Sequence, residues 1–190
     1  VSTFPRPMSD TPIDVFIDLP SFPGPVQAGR LWSHFRKGRE SASFEYNKEW
    51  LANPHRFALE PLLPLADGTF HTNPGQSVFG AIGDSTPDRW GRILMRRAEL
   101  ARARTANESP HTLSELDYLL RVNDEARQGA LRFSQDGGQS FCAPPGSTPI
   151  PPLVNLSRLL HAADHFCRDD ENAEDLRLLL APGSSLGGAR

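Results

Sequence analysis

The sequence has few cysteines, few lysines and no long hydrophobic run. Its two cysteines, Cys142 and Cys167, suggest no disulfide framework, and their separation does not match the paired spacing of a zinc site. No apolar segment approaches the roughly 20 residues that a membrane-spanning helix needs. The first residues also lack the basic stretch and apolar block of a secretory signal. These absences predict a cytoplasmic protein with free, buried thiols.

An excess of charge of either sign is also missing. The 20 lysines and arginines, of which 18 are arginine, oppose 23 acidic residues, which leaves a net charge of -3. This balance excludes a strongly basic nucleic-acid-binding module. Hydrophobic residues make up 38% of the chain, enough for a core, and the 18 prolines and 15 glycines fall mostly in clusters that mark turns and linkers. We therefore expect one globular domain, or two small subdomains, with long loops.

Short segments near the start of the chain have the pattern of β-strands. Residues 13–19 alternate apolar and acidic side chains, and residues 27–33 and 41–46 are further candidate strands. Because their connections are too short for parallel crossovers, these strands should form a small antiparallel meander or barrel-like sheet. Another strand is predicted at 130–134. Together with the helices described next, the pattern predicts an α+β fold.

The strongest helix signal is Asp-Ser-Thr-Pro-Asp at 84–88, which offers a capping hydroxyl, a proline for the first helical position and an acid for the first turn. It predicts a helix from about 88 to 104, followed by helices that begin near Thr112 and that span 156–168 and 174–181. The predicted apolar side of the long helix consists of Trp90, Ile93, Leu94, Leu100 and Ala101.

Arginines on this long helix are the first candidates for binding. Arg89, Arg92 and Arg96 share one side of this predicted helix, and residues 88–104 contain six arginines and two acids. Arginines in such a row can bind phosphates or an acidic partner. They can equally form a solvated helix face with local salt bridges, and the spacing leaves both interpretations open. Arg97 falls on the apolar side instead. We expect it to have a buried or half-buried acidic partner.

Residues 183–190, Gly-Ser-Ser-Leu-Gly-Gly-Ala-Arg, are the second candidate. Small residues let backbone N–H groups approach phosphate oxygens closely. The segment matches neither G-x-G-x-x-G nor G-x-x-x-x-G-K-[ST], so composition leaves a phosphate-binding loop and a flexible linker both open. The histidine pair His161 and His165 lacks the glutamate of a zinc-protease motif, and no metal site is predicted.

Several motifs, in order along the chain, resemble the amino-terminal half of HipA-type toxins. The resemblance covers most of residues 27–190, and the order of the motifs is far more specific than any one of them. The matching segments are GRESASFEY (38–46), EWL (49–51), PLLPL (61–65), FGAIGDSTPDRWGR (79–92), DEARQGAL (124–131) and SSLGGAR (184–190).

HipA-type proteins are bacterial serine/threonine kinases of type II toxin-antitoxin systems, usually paired with a DNA-binding HipB-type antitoxin. The resemblance implies a HipA-type subdomain at 27–134 and, at 153–190, helices with a glycine-rich loop that begin the kinase amino lobe. The Pro-rich extension at 1–26 and the loop at 135–152 depart from the shortest family members. It also implies ATP and Mg²⁺ as cofactors of the full-length protein and a protein substrate. DNA would be reached only indirectly, through a HipB-type antitoxin, and no membrane would be involved.

The resemblance also assigns roles to single residues. Ser185 is implied as an autophosphorylated serine, and the implied nucleotide-binding residues are Leu186, Gly187, Gly188, Ala189 and Arg190. The catalytic residues of such kinases would follow Arg190, so we expect the chain to be an inactive piece of a longer kinase with no catalytic residue of its own. The alternative is a non-catalytic module that binds an antitoxin or contributes to an operator-DNA complex, with Arg89, Arg92 and Arg96 as partner contacts.

Overall fold

The structure, a computed structural model, describes residues 12–124, 127–142 and 156–180. Within these ranges the chain forms five strands and six helices. In chain order they are β1 (Ile13–Ile17), β2 (Val26–Arg36), β3 (Arg39–Tyr46), α1 (Lys48–Ala52), β4 (Thr69–His71), α2 (Gly80–Gly83), α3 (Arg89–Ala106), α4 (Glu115–Arg121), β5 (Leu131–Ser134), α5 (Leu156–Cys167) and α6 (Ala173–Leu180).

The strands form one sheet in the order β4-β3-β2-β1-β5, and every neighbouring pair is antiparallel. The predicted α+β class and meander are confirmed, but the sheet is open rather than barrel-like. Its two edge strands, β4 and β5, have only three and four residues and lie at opposite ends of the order. Strand β1 pairs with both β2 and β5 although it precedes residue 27, the predicted start of the subdomain. Ile13, Val15 and Ile17 are fully buried, which explains why this segment belongs to the sheet.

The main core lies on one face of the sheet. Large side chains from the strands, α1, α2 and α4 fill it, among them Phe44, Trp50, Phe79, Leu119 and Phe133, each fully buried. Close packing also explains Gly29 in β2. A Cβ there would lie 2.2 Å from the backbone oxygen of Glu45 and 2.5 Å from the ring of Phe44, so any larger residue would force β2 and β3 apart.

Helix α3 begins slightly later than predicted and is capped by a different group. The side chain of Asp88 accepts a hydrogen bond from the backbone N–H of Gly91 at 2.8 Å, so a carboxylate rather than a hydroxyl is the cap. Pro87 precedes this cap and is not helical, while the hydroxyl of Thr86 donates to the oxygen of Gly83. The helix ends at Ala106, and Asn107 follows in the left-handed conformation.

A second core forms where α3 packs against α5 and α6. Its buried members are Leu94, Ala162, Phe166, Leu176 and Leu179. Leu100 was expected on the apolar side of α3 but is 42% exposed. At about 100° per residue Leu100 lies roughly 120° around the helix from the buried Leu94, so it faces away from the second core.

None of the helices that the structure describes could span a lipid bilayer.

The two cysteines differ in burial. Cys167 is exposed, so the expectation of a buried thiol is wrong there, because it is the last residue of α5 and lies outside the second core. Cys142 is half-buried, and burial raises the pKa of its thiol to about 11. A thiol with so high a pKa is almost entirely protonated at neutral pH and is a poor nucleophile.

Candidate functional site: helix α3 and the residues that fix it

The three arginines predicted to share one side of α3 have different surroundings. Arg89 and Arg96 are exposed, and neither has an ion pair within the described part of the chain. They are seven residues apart, so their Cα atoms are separated by about 10 Å along the same side of the helix. Two guanidinium groups in this arrangement can bind acidic side chains or phosphates.

Arg92 points instead toward α4. Its guanidinium donates to both carboxylate oxygens of Glu115 at 2.5 and 2.7 Å, to the oxygen of Pro87 at 3.0 Å and to the hydroxyl of Thr86 at 3.1 Å. It also lies 4.7 Å from the ring centre of Tyr118. The hydrogen bonds with Glu115 raise the pKa of Arg92. Spacing grouped this residue with Arg89 and Arg96, and its partner, 23 residues later, could not be read from the sequence.

A glutamate in β3, Glu40, also binds the start of α4. The carboxylate of Glu40 accepts hydrogen bonds from the backbone N–H groups of Glu115 at 2.9 Å and Leu116 at 3.3 Å. A negative charge at a helix N-terminus is favourable because the first N–H groups carry partial positive charge. Glu40 and Arg92 belong to two separate motifs of the HipA resemblance, at 38–46 and 79–92, and both bind the start of α4.

A buried carboxylate connects α3 with α4 on another side. Glu99 is 3% exposed and accepts hydrogen bonds from Arg102 at 2.8 Å, Arg121 at 3.2 Å and the backbone N–H of His111 at 3.2 Å. Burial alone would raise the pKa of Glu99, but the hydrogen bonds outweigh this effect and lower it to about 2. Glu99 is therefore charged at all physiological pH values. Sequence reasoning did not single it out.

Arg127 is the most buried cation among the described residues, and the sequence analysis had no role for it. Its side chain is 1% exposed, and its guanidinium donates to the backbone oxygens of Ser85 at 2.9 Å, Leu119 at 3.0 Å and Val122 at 3.1 Å. Burial lowers its pKa, and the nearby charge of Asp124 offsets this in part. Arg127 thus joins the segment before α3 to the end of α4.

Arg97 connects α3 with the helical pair α5–α6, as its place on the apolar side predicted. Its guanidinium lies 2.9 Å from a carboxylate oxygen of Glu171 and 2.7 Å from one of Asp169. It also donates to the backbone oxygen of Phe166 and lies 4.0 Å from that ring centre. The predicted half-buried acidic partner is confirmed in Glu171, whose side chain is 12% exposed.

Replacing Arg97 by alanine should lower the free energy of unfolding by about 1 to 3 kcal/mol, because Glu171, only 12% exposed, would lose its charged partner. Urea denaturation followed by circular dichroism measures this loss. Arg96→Ala is the matched control, since it removes an exposed arginine from the adjacent position on the same helix. A loss within about 0.5 kcal/mol for Arg97→Ala would contradict the assignment.

The remaining sequence candidates lie elsewhere. Ser185 and the predicted nucleotide-binding residues Leu186, Gly187, Gly188, Ala189 and Arg190 lie outside the described residues. The rings of His161 and His165 have centres 4.1 Å apart and are tilted by 55°, and His165 contacts Asp175 at 3.0 Å. In the described ranges no group of three or more histidine, cysteine or acidic side chains could hold a metal ion.

The HipA N-terminal domain family matches residues 24–134, more than half of the chain. The chain belongs to the HipA family. A comparison with curated proteins finds no match. In this HipA-family chain the match begins just before β2 and ends with β5. Four residues that hold the domain together, Glu40, Arg92, Glu99 and Arg127, all lie within it.

Proposed function

We propose that this HipA-family chain is the amino-terminal portion of a protein serine/threonine kinase that is the toxin of a toxin-antitoxin system. The observation that carries the proposal is the family match over residues 24–134. It is supported by the SSLGGAR segment at 184–190, which resembles the glycine-rich loop of HipA-type kinases. The reaction would transfer the γ-phosphoryl group of ATP to a hydroxyl oxygen of a protein substrate, with release of ADP and the hydroxyl proton.

The described domain supports this proposal through the position of α6. Leu176 and Leu179 of α6 are buried members of the second core, in which α6 packs against α3. The proposed phosphate-binding segment begins at residue 183, three residues after Leu180, the last described residue of α6. A helix fixed in this way gives the segment a defined starting point. Phosphoryl transfer depends mainly on positioning and electrostatic stabilisation, so such a fixed point is useful for a kinase.

Bound ATP would supply the transferable phosphoryl group, and Mg²⁺ would neutralise negative charge on the phosphates. In this chain, the backbone N–H groups of Gly187, Gly188 and Ala189 are the donors that would bind phosphate oxygens. Phosphorylation of Ser185 would add about 1.5 to 2 negative charges beside them. Repulsion between this group and the nucleotide phosphates would then weaken nucleotide binding, so Ser185 would be a regulatory switch.

Ser185→Ala in the full-length gene product should abolish phosphate incorporation into the peptide that contains residues 183–190. Incubation with ATP and Mg²⁺, digestion and peptide fragmentation locate the phosphate. Ser184→Ala is the matched control and should keep the modification, because only the second serine is assigned this role. Unchanged incorporation into this peptide in the Ser185→Ala protein would reject the assignment.

A second candidate function, binding of a HipB-type antitoxin, is favoured by the exposed Arg89 and Arg96 on α3. Arg92 is engaged with Glu115 and would contribute by keeping α3 in place. Arg89→Glu/Arg96→Glu should weaken antitoxin binding at least tenfold in calorimetry, since two attractive charges become repulsive. Arg104→Glu/Arg177→Glu, the same change at two other exposed arginines, should have little effect. Equal weakening by both pairs would show that net charge alone is responsible.

A further inference from the structure

Helix α3 has one side that faces away from both α4 and the helical pair α5–α6, and this side alternates arginines with aliphatic residues. Arg89 and Arg96 are exposed, Leu100 is 42% exposed, and Ile93 is half-buried at the edge of the second core. At about 100° per residue the four positions fall within an arc of about 60°. Neither arginine has an acidic partner among the residues that the structure describes. We call these four residues the outer row of α3.

The other sides of α3 are occupied by neighbouring helices. Leu94 is buried in the second core against α5 and α6, and Met95 packs with Tyr118 of α4. Arg92 and Glu99 bind charged side chains of α4. The outer row is therefore the side of α3 that the described part of the chain leaves open to a partner.

The outer row repeats every seven residues. Arg96 follows Arg89 by seven positions, which corresponds to about 10 Å along the helix axis. Leu100 follows Ile93 by the same distance. The successive spacings are four, three and four residues, and this alternation is typical of the contact line between two helices packed side by side. A second helix with the same seven-residue repeat therefore matches the outer row over about three turns.

We propose that the outer row binds an acidic, amphipathic α-helix of a separate partner chain. Carboxylates seven residues apart on that helix pair with Arg89 and Arg96, which have no opposite charge of their own in the described chain. Apolar side chains between the carboxylates pack on Ile93 and Leu100 and remove them from water. This inference rests on the second candidate function, in which the exposed arginines of α3 bind an antitoxin, and it names the kind of element that they contact.

Two other anionic partners match the outer row less well. The phosphates of a nucleic acid would neutralise the arginines, but they would also place charged oxygens against Leu100, and the net charge of -3 opposes binding of a polyanion. An anionic membrane surface takes up a broad apolar helix face to a depth of about 5 to 10 Å. The outer row offers only one exposed leucine and one half-buried isoleucine for that purpose.

NMR titration of the ¹⁵N-labelled 190-residue chain with a synthetic helical peptide tests the proposal. The probe is an alanine-based peptide of about 20 residues in which glutamates and leucines alternate along one side at spacings of four and three residues. The amide signals of residues 89–100 should shift most, and the shifts should saturate. The control peptide has the same composition, with its glutamates and leucines distributed around the helix. It should bind at least about tenfold more weakly.

Variants of the chain separate the apolar contribution from the charge. Leu100→Gln should weaken binding of the probe about fivefold, because the leucine side chain is no longer buried on binding. Leu160→Gln is the matched control, since Leu160 is 62% exposed on α5 and outside the outer row, and binding should stay within about twofold. Arg89→Glu/Arg96→Glu should reduce binding at least tenfold. Circular dichroism establishes that all three variants are folded.

Several results would overturn the proposal. They are equal binding of the two peptides, equal losses in Leu100→Gln and Leu160→Gln, and no shift of residues 89–100 at about 1 mM probe. Larger shifts of these amides with a DNA duplex or with phosphatidylserine vesicles would assign the outer row to a phosphate-bearing partner. A full-length gene product that does not bind the probe would show that another part of the same protein covers the outer row.

Measurements with a HipB-type antitoxin distinguish failure of this inference from failure of the second candidate function. If Arg89→Glu/Arg96→Glu weakens antitoxin binding but Leu100→Gln leaves it unchanged, the antitoxin function stands and the helical partner is wrong. If both variants weaken it and Leu160→Gln does not, the proposal is supported.

Discussion

Replacing Arg127 by alanine is expected to lower the free energy of unfolding by about 3 to 5 kcal/mol, the largest effect of any single substitution considered for this domain. The change leaves three buried backbone oxygens, those of Ser85, Leu119 and Val122, without their donor. It also removes the cation that lies 3.6 Å from Oδ1 of the buried Asp124, whose other carboxylate oxygen stays paired with Arg132. Each uncompensated buried polar group carries its own desolvation cost.

Urea denaturation at pH 7, followed by both circular dichroism and tryptophan fluorescence, measures this loss. Arg177→Ala removes an exposed arginine and should change stability by less than about 0.5 kcal/mol. Arg127→Lys distinguishes charge from geometry, because an ammonium group keeps the charge but lacks the planar fork that reaches three oxygens. Lysine should recover less than half of the loss. Full recovery by lysine, or a loss below about 1 kcal/mol for alanine, would contradict the role assigned to Arg127.

Replacing Glu99 by glutamine should lower the free energy of unfolding at pH 7 by about 3 kcal/mol. The pKa of Glu99 is about 2 in the folded chain against an ordinary value of 4.5, and a difference of this size corresponds to about 3 kcal/mol. Because the folded pKa is the lower one, this stabilisation is fully present above about pH 4.5 and is lost as the pH falls toward 2. The unmodified chain should therefore lose stability over this range more steeply than Glu99→Gln.

Urea denaturation at several pH values between 7 and 2.5 measures both effects. Glu108→Gln is a close control, since Glu108 also contacts Arg102 but is 55% exposed. It should cost less than about 1 kcal/mol and leave the pH dependence nearly unchanged. If Glu99→Gln and the unmodified chain lost stability in parallel below pH 4.5, the low pKa of Glu99 would be wrong.

Local patterns in the sequence predicted much of the fold, and their errors have physical causes. Alternation and turn residues located the strands. Whether a sheet closes into a barrel depends on the length and position of its edge strands, and local sequence patterns do not carry that information. Helical spacing placed Arg97 correctly because a charge on an apolar side needs a partner. The same spacing could not show that Arg92 turns toward Glu115, which lies on another helix.

Buried charges were the hardest feature to predict. Glu99 lies between arginines in the sequence and has the composition of a solvated helix face, yet α4 covers it and Arg121 from that helix binds it. Arg127 lies within a motif of the HipA resemblance, and that was the only signal that marked it. Motif order identified the family, which the match over residues 24–134 confirms. The roles of Ser185 and the glycine-rich segment remain predictions, because they lie outside the described residues.

Intact-mass spectrometry of the full-length gene product tests the central claim most directly. The protein is incubated with ATP and Mg²⁺ beside a variant that lacks the catalytic aspartate expected after Arg190. The account predicts a mass increase of at least one phosphate in the unmodified protein and none in the variant. A protein that binds ATP and retains that aspartate, yet gains no phosphate on itself or on any protein of a cell extract, would contradict the kinase assignment.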